Sequence, residues 1–377
     1  NVLYIESPAG VGFSKSAKIP WVYHDEFTAE TNFKVLEEFM TRYHPRYANR
    51  DFFITGESYA GAYVPHFAVE ILKRAEGNET FRSMANRFRG IVMGNPGMDV
   101  PTRFLSAAMQ MFAMGTIPQK FGPKLHHQWQ QFQNNLDGNT REMSQDLRGK
   151  FLYLYQTINN SGAPYLYNLG VKCEDNVNSE SWHVENRNQG PECVLDKIME
   201  RYFNRREVQI AVHVISEDNT TVQWLSLNDD VFNHFAQTTD TVPTYRRILS
   251  EARDDFRILF YSGDLDLACP ALHVARGTTN IAKRFGLEEL ENSPKTWHYL
   301  GDFGGVQTSY RIKNSKITID VLTIRGAGHM VPINHPSRIF QVINNFLFTN
   351  GTSIDYSKKI RRRIFKHNSN SSTDIIS

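Results

Sequence analysis

The fold is decided by residues 51–65, which read Asp-Phe-Phe-Ile-Thr-Gly-Glu-Ser-Tyr-Ala-Gly-Ala-Tyr-Val-Pro. An apolar, strand-like run comes first, the residues Gly56-Glu57-Ser58-Tyr59-Ala60-Gly61 follow, and a helical pattern continues after them. This is the setting of a nucleophile elbow, a strained strand-to-helix turn that exposes one hydroxyl above a sheet. The short motif alone is weak evidence because it also arises by chance. Its setting makes Ser58 a candidate nucleophile.

Short apolar runs, typical of strands buried in a parallel sheet, recur along the chain. They lie at residues 2–5, 51–55, 89–94, 257–261 and 317–324. Helical patterns lie at residues 30–43, 60–74 and 336–348, and a hairpin is predicted over 296–312 with its turn at 302–305. Alternating strands and helices predict an α/β protein with a parallel sheet and right-handed crossovers.

The strand–helix rhythm stops after Gly97. Residues 98–250 read as helices and loops rich in Asn, Gln and His, which predicts a mostly helical cap inserted into the fold. The core would then consist of residues 1–97 and 251–349. Residues 350–377 form a polar tail that we expect to be disordered. Its basic cluster at 358–363 is typical of a solvated segment.

Three predicted strand ends carry residues suited to acyl transfer, and such ends share one edge of a parallel sheet. Ser58 follows one strand, Asp264 and Asp266 follow another, and His329 lies in a glycine loop after the last. The chain order Ser, Asp, His is that of α/β-hydrolases. Ser58 would attack a carbonyl with His329 as its base. We expect Asp266, deeper in its loop, to be the acid and Asp264 to have a structural role in the turn.

Two neighbours of Ser58 shape the predicted site. Tyr59 offers its backbone N–H as one half of an oxyanion hole. Glu57 is costly to bury as an anion, so burial would raise its pKa. A protonated Glu57 could donate a hydrogen bond to an anion such as the C-terminal carboxylate of a peptide. A side chain turned to solvent is the alternative, and the residues alone leave both open.

Composition excludes several other classes of function. The net charge is +2, and no basic block interleaves with aromatic residues, which argues against a nucleic-acid surface. No run approaches the roughly 18 apolar residues of a membrane span. No cluster of His, Cys or Asp has metal-ligand spacing, so we expect no metal and no organic cofactor. Candidate glycosylation sequons lie at Asn78, Asn159, Asn219, Asn350 and Asn370.

Five blocks of the sequence resemble the serine carboxypeptidases, the α/β-hydrolase exopeptidases that include lysosomal cathepsin A. They lie at residues 2–14, 56–61, 94–96, 261–266 and 325–332. The glutamate of the elbow and the run Gly-Ala-Gly-His-Met-Val-Pro at 326–332 are the most specific of them. The resemblance extends from residue 1 to about residue 348 and is weakest in the predicted insertion.

The resemblance implies a serine-type carboxypeptidase that releases C-terminal residues through an acyl-enzyme. Ser58 would be the nucleophile, Asp266 the acid and His329 the base. Glu57 would belong to the clamp on the substrate's C-terminal carboxylate, and its titration would favour activity at acidic pH. Met330 would form a wall of the pocket for the leaving residue. The expected partners are peptide or protein C-termini, and a homodimer is left open.

The resemblance also bears on the cysteines. Cys173 and Cys193 match a disulfide pair of the lysosomal members, with two unpaired thiols as the alternative. Such a bond would indicate an oxidising compartment, namely the secretory pathway with a lysosomal, vacuolar or extracellular destination. Cys269 matches a position that is a free thiol in some relatives.

One departure from the family concerns the oxyanion hole. Relatives carry an Asn-Gly-Gly-Pro-Gly segment that supplies the second N–H, and this run occurs nowhere in the 377 residues. We therefore expect the sequence to be N-terminally incomplete. Without that segment the chain would be a poor catalyst, because one oxyanion donor is worth about 10²–10³ in turnover. An acyltransferase or esterase of the same fold, or a non-catalytic binding protein, is the alternative function.

Overall fold

The computed structural model describes residues 1–15, 23–77, 79–115, 119–123, 126–127, 130, 165–171, 173, 193–216, 220–349, 351 and 353–359. The strands are β1 (Tyr23–His24), β2 (Phe52–Glu57), β3 (Phe88–Gly94), β4 (Phe235–Ala236), β5 (Arg257–Gly263), β6 (Leu287–Glu289), β7 (Lys295–Tyr299), β8 (Asp302–Ile312) and β9 (Thr318–Ile324). None of the helices within these ranges is long and apolar enough to cross a membrane.

The α-helices of these ranges are α1 (Asp25–Glu38), α2 (Ala60–Ala75), α3 (Glu79–Arg87), α4 (Val100–Ala113), α5 (Leu195–Phe203), α6 (Arg206–Ala211), α7 (Asp229–Asn233), α8 (Tyr245–Glu251), α9 (Ala271–Phe285), α10 (Val331–Asn334) and α11 (Pro336–Phe348). A π-helical turn at Phe39–Tyr43 extends α1, and 3₁₀ turns lie at Pro45–Tyr47, Gln119–Phe121 and Val242–Thr244.

The central sheet has seven strands in the order β2-β3-β5-β9-β8-β6, and β7 pairs with β8. Strands β2, β3, β5 and β9 are parallel to one another, whereas β6, β7 and β8 form antiparallel pairs. The carboxyl ends of the four parallel strands therefore meet at one edge of the sheet, where sites of open α/β sheets form. Strands β1 and β4 form a separate parallel pair.

Strand β5 shows why this sheet has two covered faces. Its side chains alternate between faces, as a pleated strand requires. Ile258 and Phe260 join the core cluster that also contains Phe33 of α1. Leu259 joins the opposite cluster, which contains Phe346 of α11. A run of consecutive apolar residues is thus buried on both sides, as the sequence predicts for a parallel strand.

Several predicted elements are confirmed with small changes of boundary. Strands β2, β3, β5 and β9 and helices α2 and α11 lie where the sequence places them. Helix α1 begins at Asp25, five residues before the predicted start. The side chain of His24 caps it by accepting a hydrogen bond from Phe27 N–H at 3.3 Å.

The predicted strand at residues 2–5 is not formed. Val2 is 72% exposed and Tyr4 89% exposed, and this segment pairs with no strand of the described chain. Apolar composition predicts a buried strand only where a neighbouring strand satisfies the backbone N–H and C=O groups.

The hairpin β7–β8 is confirmed, but its predicted turn is wrong. Leu300 and Gly301 form the turn, with φ values of 53° and 98°, as a two-residue turn with positive φ at both central positions requires. The glycines at 304 and 305 lie inside β8 instead. A Cβ at Gly304 would lie 2.5 Å from the ring of Trp297, so this glycine allows a close approach within the sheet.

The predicted disorder after Thr349 is wrong for residues 353–359, which form a C-terminal segment against the sheet. Tyr356 is completely buried, and its phenol donates to Asp320 Oδ2 at 2.7 Å. The side-chain amides of Gln341 and Asn345 donate to the Tyr356 carbonyl at 2.8 and 3.2 Å. Ile354 is also buried, with 1% of its surface exposed. Two side chains of this otherwise polar segment are therefore buried and anchor it.

The two ends of the predicted insertion lie side by side. Thr241 donates to the Met98 carbonyl through both its N–H and its hydroxyl, at 2.9 and 2.8 Å. Asp99 and Asp240 form an isolated antiparallel bridge. The described parts of residues 98–250 contain α4 to α8 and β4. The domain boundaries stay a prediction.

Candidate active site

Ser58 occupies a sharp turn between β2 and α2. Its φ is 62°, a left-handed value that is uncommon for any residue with a Cβ. Its N–H donates to the Gly94 carbonyl at 2.9 Å, and its carbonyl accepts from Gly97 N–H at 2.9 Å. A Cβ at Gly61 would overlap the backbone of Gly97, and one at Gly56 would overlap Ala60. The two glycines of the motif therefore allow the helix, the strand and the neighbouring loop to meet at the serine.

Asp266 lies in the loop after β5 and is completely buried. Its Oδ1 accepts from Ala268 N–H at 2.7 Å. Its Oδ2 accepts from Cys269 N–H at 3.1 Å and from the side-chain amide of Asn95 at 2.8 Å. The His329 Nδ1 lies 2.7 Å from the same Oδ2. These bonds fix the carboxylate in one orientation toward the imidazole.

His329 lies in the loop after β9 and is 4% exposed. With Nδ1–H donating to Asp266, Nε2 is the basic nitrogen, and it is buried without a hydrogen-bond partner among the described residues. Tyr167 fixes the backbone of the histidine, since the Tyr167 carbonyl accepts a hydrogen bond from His329 N–H at 2.6 Å. The two rings lie 5.0 Å apart. The free Nε2 is thus poised to accept a proton.

The pKa of His329 reflects opposing effects. Burial alone would lower the pKa of the imidazole, but the hydrogen bond and the charge of Asp266, together with the charge of Glu57, raise it above its usual value. The positive charge of Arg103 opposes that rise. The imidazolium that would form during acyl transfer is therefore stabilised mainly by Asp266.

Asp264 has a different environment from Asp266. Its Oδ1 accepts from Gly326 N–H at 2.7 Å, and its Oδ2 lies 3.5 Å from Arg325 Nη1. It therefore connects the loop after β5 to the loop that carries His329, and it takes no part in the hydrogen bond between Asp266 and His329. The two aspartates thus differ in their contacts, and the role of Asp266 as the acid stays a prediction.

Glu57, the last residue of β2, is half-buried rather than turned to solvent. Burial raises its pKa to about 7, with a further contribution from the charge of Asp266 and an opposing one from His329. The carboxyl group is therefore neutral over the acidic range and can donate a hydrogen bond there.

Tyr59 lies between Ser58 and the first residue of α2, so its backbone N–H stands at the positive end of that helix. Its phenol donates to Asp25 Oδ2 at 2.9 Å, and Tyr63 packs edge-on against its ring. Burial, followed by the charge of Asp25, raises the pKa of the Tyr59 phenol. The phenol therefore remains a proton donor at every physiological pH.

Three residues that the sequence analysis missed surround this arrangement. Asn95 has a φ of 43° and joins β3 to Asp266. Its place after β3, in Gly94-Asn95-Pro96, was a usable signal. Gln110 donates from its side-chain amide to the carbonyls of Asp264 and Asp266 at 3.0 and 3.2 Å. Neither Gln110 nor Arg103 could be found from the sequence, because both depend on how α4 packs.

The other predicted site residues have mixed outcomes. Cys173 and Cys193 form a disulfide, which confirms that prediction. Cys269 is a buried free thiol. Met330 is half-buried directly after His329. The five predicted glycosylation sites (Asn78, Asn159, Asn219, Asn350 and Asn370) lie outside the described residues.

The site offers the groups of acyl-transfer chemistry. Within the described ranges, no group of three or more His, Cys, Asp or Glu side chains is arranged to hold a metal ion. At one edge of the parallel sheet lie a serine with a strained backbone, a buried Asp–His pair and the carboxyl group of Glu57, whose pKa is raised to about 7.

Comparison with known proteins agrees with this geometry. The family model described as serine carboxypeptidase matches residues 1–349. The serine carboxypeptidase ctsa-4.1 of Caenorhabditis elegans is 26% identical over 382 residues, which cover 96% of this chain and 76% of that protein. The serine carboxypeptidase-like protein 45 of Arabidopsis thaliana is 29% identical over 354 residues, covering 92% and 72%.

A solved structure shows the same architecture. Kex1Δp, a prohormone-processing carboxypeptidase from Saccharomyces cerevisiae, superposes with a TM-score of 0.65 at 16% identity, and the match covers 93% of this chain and 75% of that one. The predicted α/β-hydrolase fold is therefore confirmed. With the family model matching nearly the whole chain, the protein belongs to the serine carboxypeptidase family and is a hydrolase of the serine type.

Proposed function

We propose that the protein removes single residues from peptide C-termini through an acyl-enzyme on Ser58. The observation that carries the proposal is the buried Asp266–His329 bond of 2.7 Å, which leaves His329 Nε2 unpaired among the described residues. Family membership supports the reaction class.

The reaction would proceed in two acyl transfers. The Ser58 hydroxyl adds to the last peptide carbonyl while His329 Nε2 takes its proton. His329 then returns that proton to the leaving amine as the C–N bond breaks, which releases the C-terminal residue. A water molecule next attacks the ester, again with His329 as base, and Ser58 is regenerated. The Tyr59 N–H would stabilise the oxyanion in both steps.

Glu57 would provide the preference for a free C-terminus. At pH values below about 7 its carboxyl group is protonated and can donate a hydrogen bond to the terminal carboxylate. Above that pH it is an anion and repels the same group. Binding of peptides should therefore be favoured at acidic pH. Met330, next to His329 in the chain, would form part of the wall around the leaving residue.

A direct test compares a blocked dipeptide with its C-terminal amide, using the full-length protein and mass spectrometry of the products. We expect release of the last residue from the free acid, much slower cleavage of the amide, and no release by Ser58→Ala. A fluorophosphonate should label the wild-type protein but not Ser58→Ala. Equal cleavage of acid and amide would refute the role of Glu57, and no labelling would favour a binding protein.

We also propose that the protein resides in the secretory pathway. The Cys173–Cys193 disulfide supports this, because such bonds persist in oxidising compartments. The sequons agree with it. Sensitivity of the cellular protein to an N-glycosidase would test the proposal, and an unglycosylated, fully reduced protein would contradict it.

A further inference from the structure

Arg103 is a half-buried arginine in the first turn of α4, and its guanidinium lies beside the nucleophile elbow. The position that a Cβ would take at Gly97 is 3.7 Å from Arg103 Nη1, 3.8 Å from Cys269 Sγ and 3.9 Å from the Ser58 carbonyl oxygen. These are ordinary contact distances. Because residue 97 is glycine, the guanidinium, the thiol and the Ser58 backbone surround a gap of methyl size, and the guanidinium lies next to the elbow.

Arg103 differs from comparable arginines of the protein. Other half-buried arginines donate to oxygen acceptors: Arg89, Arg247 and Arg253 pair with carboxylates, whereas Arg257 and Arg338 donate to backbone carbonyls. Arg103 forms no ion pair with a carboxylate of the described chain. Its guanidinium lies 5.0 Å over the ring of Phe104 and interacts with the Cys269 thiol. Stacking and the helix hold the group in place but leave its charge unpaired.

The acidic groups near Arg103 do not neutralise it. Asp266 is already bound by His329, Asn95 and two backbone N–H groups. Burial raises the pKa of Glu57 to about 7, so that carboxyl group is neutral at acidic pH. Under these conditions the Arg103 guanidinium beside the elbow carries an uncompensated positive charge, which favours an anionic ligand.

We propose that Arg103 binds a carboxylate of the substrate, supplied either by an acidic side chain next to the cleaved bond or by the free C-terminus. This inference rests on the proposed carboxypeptidase function. Guanidinium groups bind carboxylates through two parallel N–H donors, a geometry that lysine cannot reproduce. Arg103 would therefore select substrates by charge, in a role separate from that of the Ser58, Asp266 and His329 chemistry.

The test measures binding without turnover. Full-length protein carrying Ser58→Ala is titrated calorimetrically with blocked dipeptides that differ by Glu or Gln at the penultimate or at the terminal position, and with their C-terminal amides. If Arg103 binds an acidic side chain, the Glu peptide binds about 10- to 100-fold more tightly than its Gln counterpart, and Arg103→Gln removes the difference. If it binds the terminal carboxylate, Arg103→Gln weakens both free acids and leaves the amides unchanged.

Arg46→Gln is the matched control, because Arg46 also lies 5.0 Å over the ring of the residue that follows it, Tyr47, but on an exposed turn. Arg103→Lys should keep part of the preference. Identical dissociation constants in Arg103→Gln and Arg46→Gln would overturn the inference. Peptide hydrolysis by protein with Ser58 intact tests the proposed function separately. Absence of hydrolysis would contradict the proposed function, whereas unchanged binding in Arg103→Gln would contradict only the role of Arg103.

Discussion

Tyr59 and Asp25 are joined by a hydrogen bond of 2.9 Å between a phenol and a carboxylate that is only 1% exposed. Thr238 N–H donates to the same carboxylate oxygen and to the phenol oxygen, each at 3.0 Å. Tyr59 follows Ser58, Asp25 begins α1, and Thr238 belongs to the predicted insertion. One buried carboxylate therefore connects the elbow, a core helix and a residue of the predicted insertion.

We predict that Tyr59→Phe destabilises the fold by about 1–3 kcal/mol, because it leaves a buried carboxylate without one of its donors. Urea unfolding of the purified protein measures the change. Tyr63→Phe is the control, since Tyr63 packs against Tyr59 but forms no hydrogen bond with Asp25 in the described structure. Equal stability of the two variants would contradict the prediction.

Glu57 should control the pH dependence of substrate binding. Its pKa of about 7 means that the carboxyl group is protonated below that pH and ionised above it. We expect KM for a free-acid peptide to rise as the pH increases through 7, because the ionised group repels the terminal carboxylate. In Glu57→Gln this rise should disappear, as steady-state kinetics across the pH range will measure. The amidated peptide serves as the control substrate, and an unchanged rise in Glu57→Gln would count against the assignment.

Glu57 should also shift the titration of His329. The ionised form of Glu57, present around and above pH 7, is one cause of the raised His329 pKa, so replacing Glu57 with glutamine lets that pKa fall. Catalysis needs a neutral imidazole, and the acid limb of the kcat profile should therefore move to lower pH in Glu57→Gln. Asp51→Asn, a charge removal at an exposed residue before β2, should leave that limb in place. A shift to higher pH in Glu57→Gln would contradict the prediction.

Asn95 should act as a positioning residue through Asp266. Asn95→Gly tolerates the φ of 43° and removes the side-chain amide, which donates to Asp266 and accepts from Gly263 N–H at 3.3 Å. A hydrogen bond to a charged group is worth about 1.5–3 kcal/mol, so kcat should fall by about 10- to 100-fold. Asn314→Gly, at a φ of 61° on a distant turn, is the control. A loss confined to stability, with kcat intact, would show a structural role only.

The C-terminal segment should contribute measurably to stability. Tyr356→Phe removes the phenol that donates to the buried Asp320. We expect a loss of about 1–3 kcal/mol in the free energy of unfolding, seen as a lower Tm by calorimetry. Tyr43→Phe, at a residue that is 64% exposed, should leave Tm unchanged. A Tm equal to that of the wild type in Tyr356→Phe would disprove the contribution.

The sequence predicts the features of the protein that depend on short stretches of neighbouring residues. The elbow around Ser58 requires glycines and a strand-to-helix change, both of which are visible in the sequence. Asp266 and His329 follow parallel strands, so the topology of the sheet alone brings them to one edge. Their pairing at 2.7 Å is a consequence of that rule.

The remaining features depend on contacts between distant segments. Gln110 reaches the loop of Asp266 only because α4 packs beside it. Tyr356 is buried because Asp320 offers an acceptor within the sheet, although the surrounding sequence is polar. Residues 2–5 are the opposite case. Their apolar composition predicts a buried strand, but without a pairing strand they are exposed.

The buried side chains of Ile354 and Tyr356 would also limit how far an enzyme of the proposed kind could shorten its own chain. An exopeptidase of the proposed kind works inward from a free end and needs each terminal residue detached from its own fold. To cleave within this segment, the enzyme would have to break the hydrogen bonds that Gln341 and Asn345 donate to the Tyr356 carbonyl. Residue 356 would be freed only by local unfolding. If the protein has the proposed activity, the packing of the tail would thus set an end point for self-digestion.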